Sequence, residues 1–393
     1  MQSIQYRWLK SSGWFPDLPT VEAGESGSGR IVLAFGARHL LQEGNLLSEL
    51  HDHFPGAAFI GCSTSGEIAG EEISDNSLVA TVLSFDHTRF QIASTKIDEG
   101  KSSYEAGKEL AQKLNEDSLR EDSLRHVFVV SDGLNVNGSD LARGIMSGVP
   151  EDVSVTGGLS GDGTDFAETW VIADVEAGPR RIAAFGLYGD RLRIGYGSMG
   201  GWEPFGPVRK ITRAEGNVLY ELDERPALDL YKTYLGGHAE ELPSSALLFP
   251  IVVKHRENLD GENALDGVTR TILSVDEQDR SMTFAGDIPQ GGTAQLMKTN
   301  IDNLVDGATK AGEISIAGFG KGQPNLAVLV SCVGRKLVMK QRIEEEIEAI
   351  QDVLGGDTTI AGFYSYGELS PWSQGKVSRL HNQTMTVTLF AED

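Results

Sequence analysis

The sequence predicts an α/β protein: two domains built from duplicated α/β units with mixed β-sheets. Three observations predict it. Short apolar runs alternate with amphipathic stretches along the whole chain. Glycine is in excess, with 47 of 393 residues, about 12% against roughly 7% in average proteins. These glycines sit singly or in pairs between β-type runs, where they serve turns, bulges and close backbone approach. Finally, one glycine–serine loop recurs at long spacing.

The elements follow in order. Arg30 to Gly36 is an apolar strand, and Leu46, Leu47, Leu50 and Phe54 mark a short helix over Asn45 to His53. Ala57 to Gly61 is the next strand, and a polar glycine loop follows it. Leu78 to Phe85 is a strand with Arg89 to Lys96 as its expected partner. Tyr104, Leu110, Ala111 and Leu114 mark an amphipathic helix, and His126 to Val130 is a strand. Ser139 opens a capped helix through Leu141 and Ile145, with Gly148 beyond. Val153 to Gly157 is a strand, and Trp170 to Val175 with Ile182 to Tyr188 suggests an antiparallel hairpin.

In the second half, Thr212 is expected to cap a helix through Leu222. Pro226 is placed at the first position of another, ending at Gly236-Gly237. Ala246 to Lys254, Arg270 to Val275 and Ser281 to Ala285 are expected strands. Leu296, Ile301, Leu304 and Ala308 form a helical stripe, and Asn325 to Val333 is a strand. Ile343, Ile347, Ile350 and Leu354 form the clearest helix, stopped by Gly355-Gly356, with Glu344-Glu345-Glu346 expected on its wet face. Thr359 to Gly362 and Met385 to Phe390 are the closing strands. The expected division is an extension over 1–28, a first domain over 29–222 and a second over 223–393.

Charge narrows the function. Thirty-four basic against fifty-seven acidic residues give a net charge of −23. Such a chain lacks the basic footprint of a nucleic-acid binder and is a poor match for an anionic membrane surface. Cys62 and Cys332 are the two cysteines and form no C-x-x-C pair, which fits a reducing cytosol. No apolar leader opens the sequence, and Pro250 interrupts the apolar run from Ala246 to Val253. The expectation is a cytoplasmic protein.

The repeat is the most informative feature. Gly61-Cys62-Ser63-Thr64-Ser65-Gly66-Glu67-Ile68 and Gly362-Phe363-Tyr364-Ser365-Tyr366-Gly367-Glu368-Leu369 share glycines and a glutamate at one constant offset. Gly157-Gly158-Leu159-Ser160-Gly161-Asp162 is a weaker middle copy. A strand and a helix precede each copy, so equivalent units face one another with their loops in equivalent places.

With these motifs the sequence resembles the FIST sensory proteins, which pair an N-terminal with a C-terminal FIST domain. The carriers are the first loop above, Phe284-Ala285-Gly286-Asp287-Ile288-Pro289, the run Ala361 to Pro371, and Leu380-His381-Asn382-Gln383-Thr384. The resemblance covers about Gly29 to the end. It implies a bacterial or archaeal signal-transduction protein that senses a small ligand, with amino acids proposed for the family. Some standalone members bind haem, sense nitric oxide and regulate partner histidine kinases. No kinase, cyclase or methyl-accepting segment is visible here, so output passes through a partner protein.

The site candidates follow. Ser63, Ser65 and Glu67, the middle loop's Ser160, and Ser365, Tyr366 and Glu368 supply hydroxyls and carboxylates beside mobile backbone. Such a set suits an amino acid, with Glu facing the ammonium and hydroxyls and N–H groups facing the carboxylate; the alternative is that Glu67 and Glu368 cap their own loops. His381 and Asn382 form a pocket wall or a hydrogen-bonded turn. In the haem version His381 or His238 supplies the axial ligand, with His255 weaker, and haem is the one cofactor in question. Trp202 covers a pocket or anchors its loop. Gly195-Tyr196-Gly197-Ser198-Met199-Gly200 matches G-x-G-x-x-G, but Pro204 and Pro207 follow where a helix is required, so the dinucleotide reading fails. His51-x-His53 lacks further metal ligands. A Ser- or Cys-dependent hydrolase lacks a recognisable nucleophile–base pair, and no catalytic residue is expected.

Overall fold

The computed structural model describes residues 1–20, 29–98, 100–117, 123–242, 244–255, 267–371 and 377–393. Its organising element is a unit that occurs three times. In each, two parallel strands flank a helical crossover, a glycine loop follows, and a later strand returns antiparallel to the first.

In the first unit Arg30–Gly36 pairs in parallel with Ala58–Ser63, and Leu78–Ser84 returns beside Arg30–Gly36. In the second, Leu124–Ser131 pairs in parallel with Ser154–Leu159, and Arg181–Tyr188 returns. In the third, Leu326–Cys332 pairs in parallel with Thr359–Ser365, and Met385–Glu392 returns. The crossovers hold the helices Arg38–Glu43 and Asn45–His53, Gly138–Met146, and Val333–Met339 with Glu344–Leu354. Each returning strand carries one more antiparallel partner: Gln2–Leu9, Arg89–Lys96 and Leu192–Met199 respectively.

The apolar runs have few polar breaks because both faces of these strands are buried. Leu33, Phe35, Phe128, Val130, Val328 and Val330 point to one shared core, where the Phe35 and Phe363 rings lie 4.7 Å apart. The alternate residues face three separate helix layers: Val32 and Ala34, then Val127 and Val129, then Ala327 and Leu329. Three sheets thus surround one core, with helices outside.

The units exchange strands in a cycle. Glu67–Ala69, after the first loop, pairs with Thr359–Ser365 of the third unit. Gly367–Pro371, after the third loop, pairs with Ser154–Leu159 of the second. Val171–Ala173, after the second loop, pairs with Ala58–Ser63 of the first. Gly61, Gly157 and Gly362 occupy equivalent positions in this cycle. A Cβ at any of them would collide with the carbonyl oxygen of its parallel neighbour, Ala34, Val129 or Leu329.

An antiparallel eight-stranded sheet with its own core is inserted into the third unit. It starts at the strand Glu203–Glu215 and ends at Thr293–Lys298, which pair with each other, so the insert leaves and re-enters the body at one place. The chain then forms the helix Ile301–Phe319 against Leu192–Met199.

Several expectations change. Arg89–Lys96 pairs with Arg181–Tyr188 rather than with Leu78–Ser84. Val171–Ala173 pairs with Glu176–Gly178 and Ala58–Ser63, so the Trp170 and Ile182 runs form no hairpin with each other. The expected helix from Thr212 is a hairpin of Glu203–Glu215 and Val218–Leu222, turning at Gly216 with φ 54°; β-branched Val208, Ile211 and Thr212 favour it. Leu296 belongs to the strand Thr293–Lys298, so the helical stripe begins at Ile301. Pro250 separates a 3-10 turn, Ser244–Leu248, from the strand Ile251–Lys254. Glu346 is not on a wet face: it is 0% exposed and ion-paired with Arg335 at 2.7 Å. The 1–28 segment contributes the strand Gln2–Leu9 to the first sheet, and its residues 21–28 lie outside the described residues.

The G-x-G-x-x-G run is the strand Leu192–Met199 and its exit. A Cβ at Gly195 or Gly197 would meet the carbonyl oxygens of Ser315 and Ala311, so these glycines let the Ile301–Phe319 helix approach the sheet.

Candidate functional site

The three glycine loops converge at the ends of their parallel strand pairs. Backbone bonds stitch them together: Ser65 N–H donates to Tyr364 O (2.8 Å), Gly161 N–H to Ser63 O (2.9 Å) and Tyr366 N–H to Leu159 O (3.1 Å).

Most of the predicted site side chains are spent in this stitching. Ser63 Oγ donates to Gly161 O (2.7 Å) and accepts from Trp170 N–H (2.9 Å). Ser160 Oγ donates to Ser131 O at 2.7 Å. Glu67 and Glu368 are 1% and 0% exposed and play one structural part twice. Glu67 accepts from the Thr64 hydroxyl at 2.5 Å and from Ser77 N–H and Oγ at 3.2 and 2.6 Å. Glu368 accepts from Ser365 Oγ at 2.7 Å and from Thr384 N–H and Oγ1 at 3.2 and 2.8 Å. Each glutamate thereby ties its loop to the start of the returning strand. The second unit has no glutamate there, and Asp132 does the equivalent job through Arg180 N–H at 2.7 Å.

Burial pushes the Glu67 carboxyl up to about 7 and Glu368 up to about 8, against the lowering effect of their hydroxyl and N–H donors. Glu368 is buried, engaged by its own loop donors and outside the pocket lining described below. His381 is 1% exposed, with Nε2 3.0 Å from Ser370 O. Burial lowers its imidazole to about 4, so the ring stays neutral. Asn382 is buried beside the third loop, with Nδ2 3.5 Å from Tyr366 O.

A polar pocket of about 440 Å³ opens over the first and second loops. Ser65 and Glu67 are the two predicted residues that line it. Its charged groups come from elsewhere. Arg38, in the first turn of Arg38–Glu43, lies 3.8 Å from Asp162 and 3.4 Å from Asp165. Lys336, on Val333–Met339, donates to Ser65 O at 2.7 Å, pairs with Asp75, and sits 5.5 Å from the Tyr364 ring centroid. The pocket is therefore lined from all three units, with cations and carboxylates facing one space. Sequence reasoning missed Arg38, Asp75, Asp165 and Lys336. The available signal was a basic residue within the first turn after an apolar strand, which also fits an ordinary wet helix face.

An apolar groove of about 520 Å³ adjoins this pocket, and Thr164 and Leu337 line both. Leu247, Leu248 and Leu273 of the insert form one wall and Phe166 of the second loop another. Phe166 has φ 48°, a left-handed conformation uncommon for a bulky residue, and stacks on Tyr366 at 4.6 Å. Tyr366 in turn donates its hydroxyl to Asp162 and to Gly163 O (3.2 Å).

These positions do not fit a haem. His381 is buried with its Nε2 engaged, His238 is exposed against Phe249, and neither lines the apolar groove. His255 lines a different cavity. Among the described residues no group of three His, Cys, Asp or Glu side chains can hold a metal ion. His51 packs its ring, tilted, against Phe59 (centroids 3.9 Å apart) and His53 contacts Pro19 O (2.8 Å) instead. Trp202 anchors its loop by donating Nε1–H to Gln383 O at 2.9 Å. Cys62 is fully buried, and burial pushes its thiol well above the usual range.

Family comparison decides the relationship. The FIST N domain model matches residues 30–225 and the FIST C domain model residues 227–371. The chain belongs to the FIST family. FIST domains are consistent with a sensor in signal transduction. An uncharacterised protein of Methanocaldococcus jannaschii is 25% identical over 88% of this FIST chain and 72% of its own length. An uncharacterised Mycobacterium tuberculosis protein is 28% identical over 58% of this chain and 63% of its own. Among solved structures, a chorismatase matches with TM-score 0.37 and 9% identity, covering 99% of this chain and 98% of its own. Among the described residues, no helix is long and apolar enough to cross a membrane.

The boundary between the two FIST domains at 225–227 is not a boundary in space. Three sheets each combine strands from both sides of it: Ser154–Leu159 with Gly367–Pro371, Glu67–Ala69 with Thr359–Ser365, and Glu203–Glu215 with Thr293–Lys298.

Proposed function

We propose that this FIST protein is a sensor that binds an amino acid with an apolar side chain and passes its occupancy to a partner protein. The observation that carries this is the polar pocket, where Arg38 and Lys336 face Asp75, Asp162 and Asp165 across about 440 Å³. A zwitterion complements both signs: its carboxylate takes the cations, and its ammonium takes the carboxylates. The adjoining apolar groove receives the side chain. Because the lining comes from three distant chain segments, occupancy joins them and shifts the equilibrium between arrangements of the loops.

The test is a thermal-shift panel of free amino acids on the wild type and on Arg38→Met and Lys336→Met. L-Leucine and L-phenylalanine are expected to stabilise the wild type, by about 2.7 kcal/mol at one hundred times Kd. L-Glutamate and L-lysine are expected to stabilise it less. Both variants are expected to lose the shift while keeping a cooperative melt. No shift with any amino acid, or an equal shift in both variants, would overturn the reading.

A further inference from the structure

Away from the polar pocket, a second cavity of about 280 Å³ lies where the insert meets the second and third units. Its lining includes Arg143 of the Gly138–Met146 helix, Arg379 of the Ser378–His381 strand, and Arg270 and Asp287 of the insert. The balance of charge is opposite to that of the molecule. Among the described residues, three guanidinium groups and His255 line it with one carboxylate, in a chain whose net charge is −23.

Arg270 is the unusual member. It is 6% exposed, and it donates to oxygens without charge: Asp287 O at 3.1 Å, Thr269 O at 3.3 Å, Leu380 O at 3.0 Å and Ser139 Oγ at 3.5 Å. Among the described residues no carboxylate lies within 4.0 Å of it. A buried guanidinium without a paired anion is costly. Arg379 is exposed and, among the described residues, has no carboxylate within 4.0 Å either. Among the described lining residues the one acid is Asp287, whose charge also favours the Arg270 cation from beyond 4.0 Å but which is engaged by Asn137 Nδ2 at 2.8 Å and Arg143 at 3.2 Å. Asp140, outside the lining, holds Arg143 from its own helix. Ser139 adds a hydroxyl at the positive end of that helix.

We infer that this cavity binds a phosphate-type oxyanion, and that the anion fixes the insert against the three-unit body. Guanidinium forks match tetrahedral oxyanions in geometry as well as charge, and several converging forks favour a multiply charged anion over a single carboxylate. An anion beside Arg270 offsets the cost of its burial. It also bridges the insert, through Arg270, to the second unit through Arg143 and the third through Arg379.

The test is titration calorimetry and thermal melting with inorganic phosphate and pyrophosphate, against sodium chloride at matched ionic strength. The probes are run on the wild type, Arg379→Ala and the Arg143→Ala/Arg379→Ala pair. Both side chains are exposed, so the variants are expected to fold. Arg270→Lys is a third variant that keeps the charge but not the fork. The expected result is saturable binding, tighter for pyrophosphate, that weakens roughly tenfold or more with each lost charge-assisted contact. Lys336→Met is expected to leave it unchanged. No binding beyond the chloride control, or unchanged binding in the double variant, would overturn the proposal.

Discussion

At the scale of residues, the two buried glutamates set a pH dependence. Their carboxyls stand at about 7 and about 8 in the folded chain, above the roughly 4.3 of an unfolded glutamate. A raised folded value means that the native state holds protons the unfolded state releases. The stability they confer is present in full below the unfolded value and is lost as pH rises through 7 to 8. A Glu67→Gln/Glu368→Gln variant, followed by chemical denaturation from pH 5 to pH 9, should show a flatter fall than the wild type. An equal fall would mean that these groups ionise normally. The same residues show what the sequence conceals. The matched glutamates were visible as a repeat, yet a ligand carboxylate and a loop-capping carboxylate have the same spelling. Only the positions of Ser77 and Thr384 tell them apart, and these lie 10 and 16 residues away.

At the scale of elements, the Arg335–Glu346 pair joins the Glu344–Leu354 helix, which the sequence showed, to the Val333–Met339 helix, which it did not. Arg335 also donates to Leu304 O at 2.9 Å and to Gly200 O, and Tyr364 donates its hydroxyl to Glu346 at 2.6 Å. Arg335→Met strands a buried carboxylate and should cost about 3–5 kcal/mol in urea unfolding. Changing both partners, Arg335→Met with Glu346→Gln, should recover part of that. Gly362→Ala drives a methyl group into the Leu329 backbone and should cost about 3 kcal/mol, the upper end of overpacking losses. Gly356→Ala, which has open space and no left-handed φ, should be nearly neutral in the same assay. The strand–helix–strand units were legible because both faces of their strands are buried, leaving unbroken apolar runs. The Thr212–Leu222 hairpin was not, since polar residues fill its alternate positions and a short helix gives a similar pattern.

At the scale of the whole molecule, the cyclic strand exchange makes one body of the two FIST domains. Residues 1–225 expressed alone lack Thr359–Ser365, Gly367–Pro371 and Met385–Glu392, which pair with Glu67–Ala69, Ser154–Leu159 and Leu192–Met199, and should give no cooperative melt. By contrast, removing 203–298 and joining the flanks should leave a folded three-unit body, because Thr299 Oγ1 already lies 2.8 Å from Gly201 O. The exchange also explains why the pocket escaped sequence reasoning: its lining is gathered from residues 37–76, 162–165 and 333–337, brought together by pairings across about 300 positions. The acidic surface is expected to favour a basic patch on the signalling partner, so that association weakens as salt rises. Hydrogen exchange with and without saturating L-leucine tests the central claim most directly. Added protection is expected in 64–67, 162–165 and 333–337 together. Protection confined to 365–384, around Glu368 and His381, or no change in any segment, would contradict it.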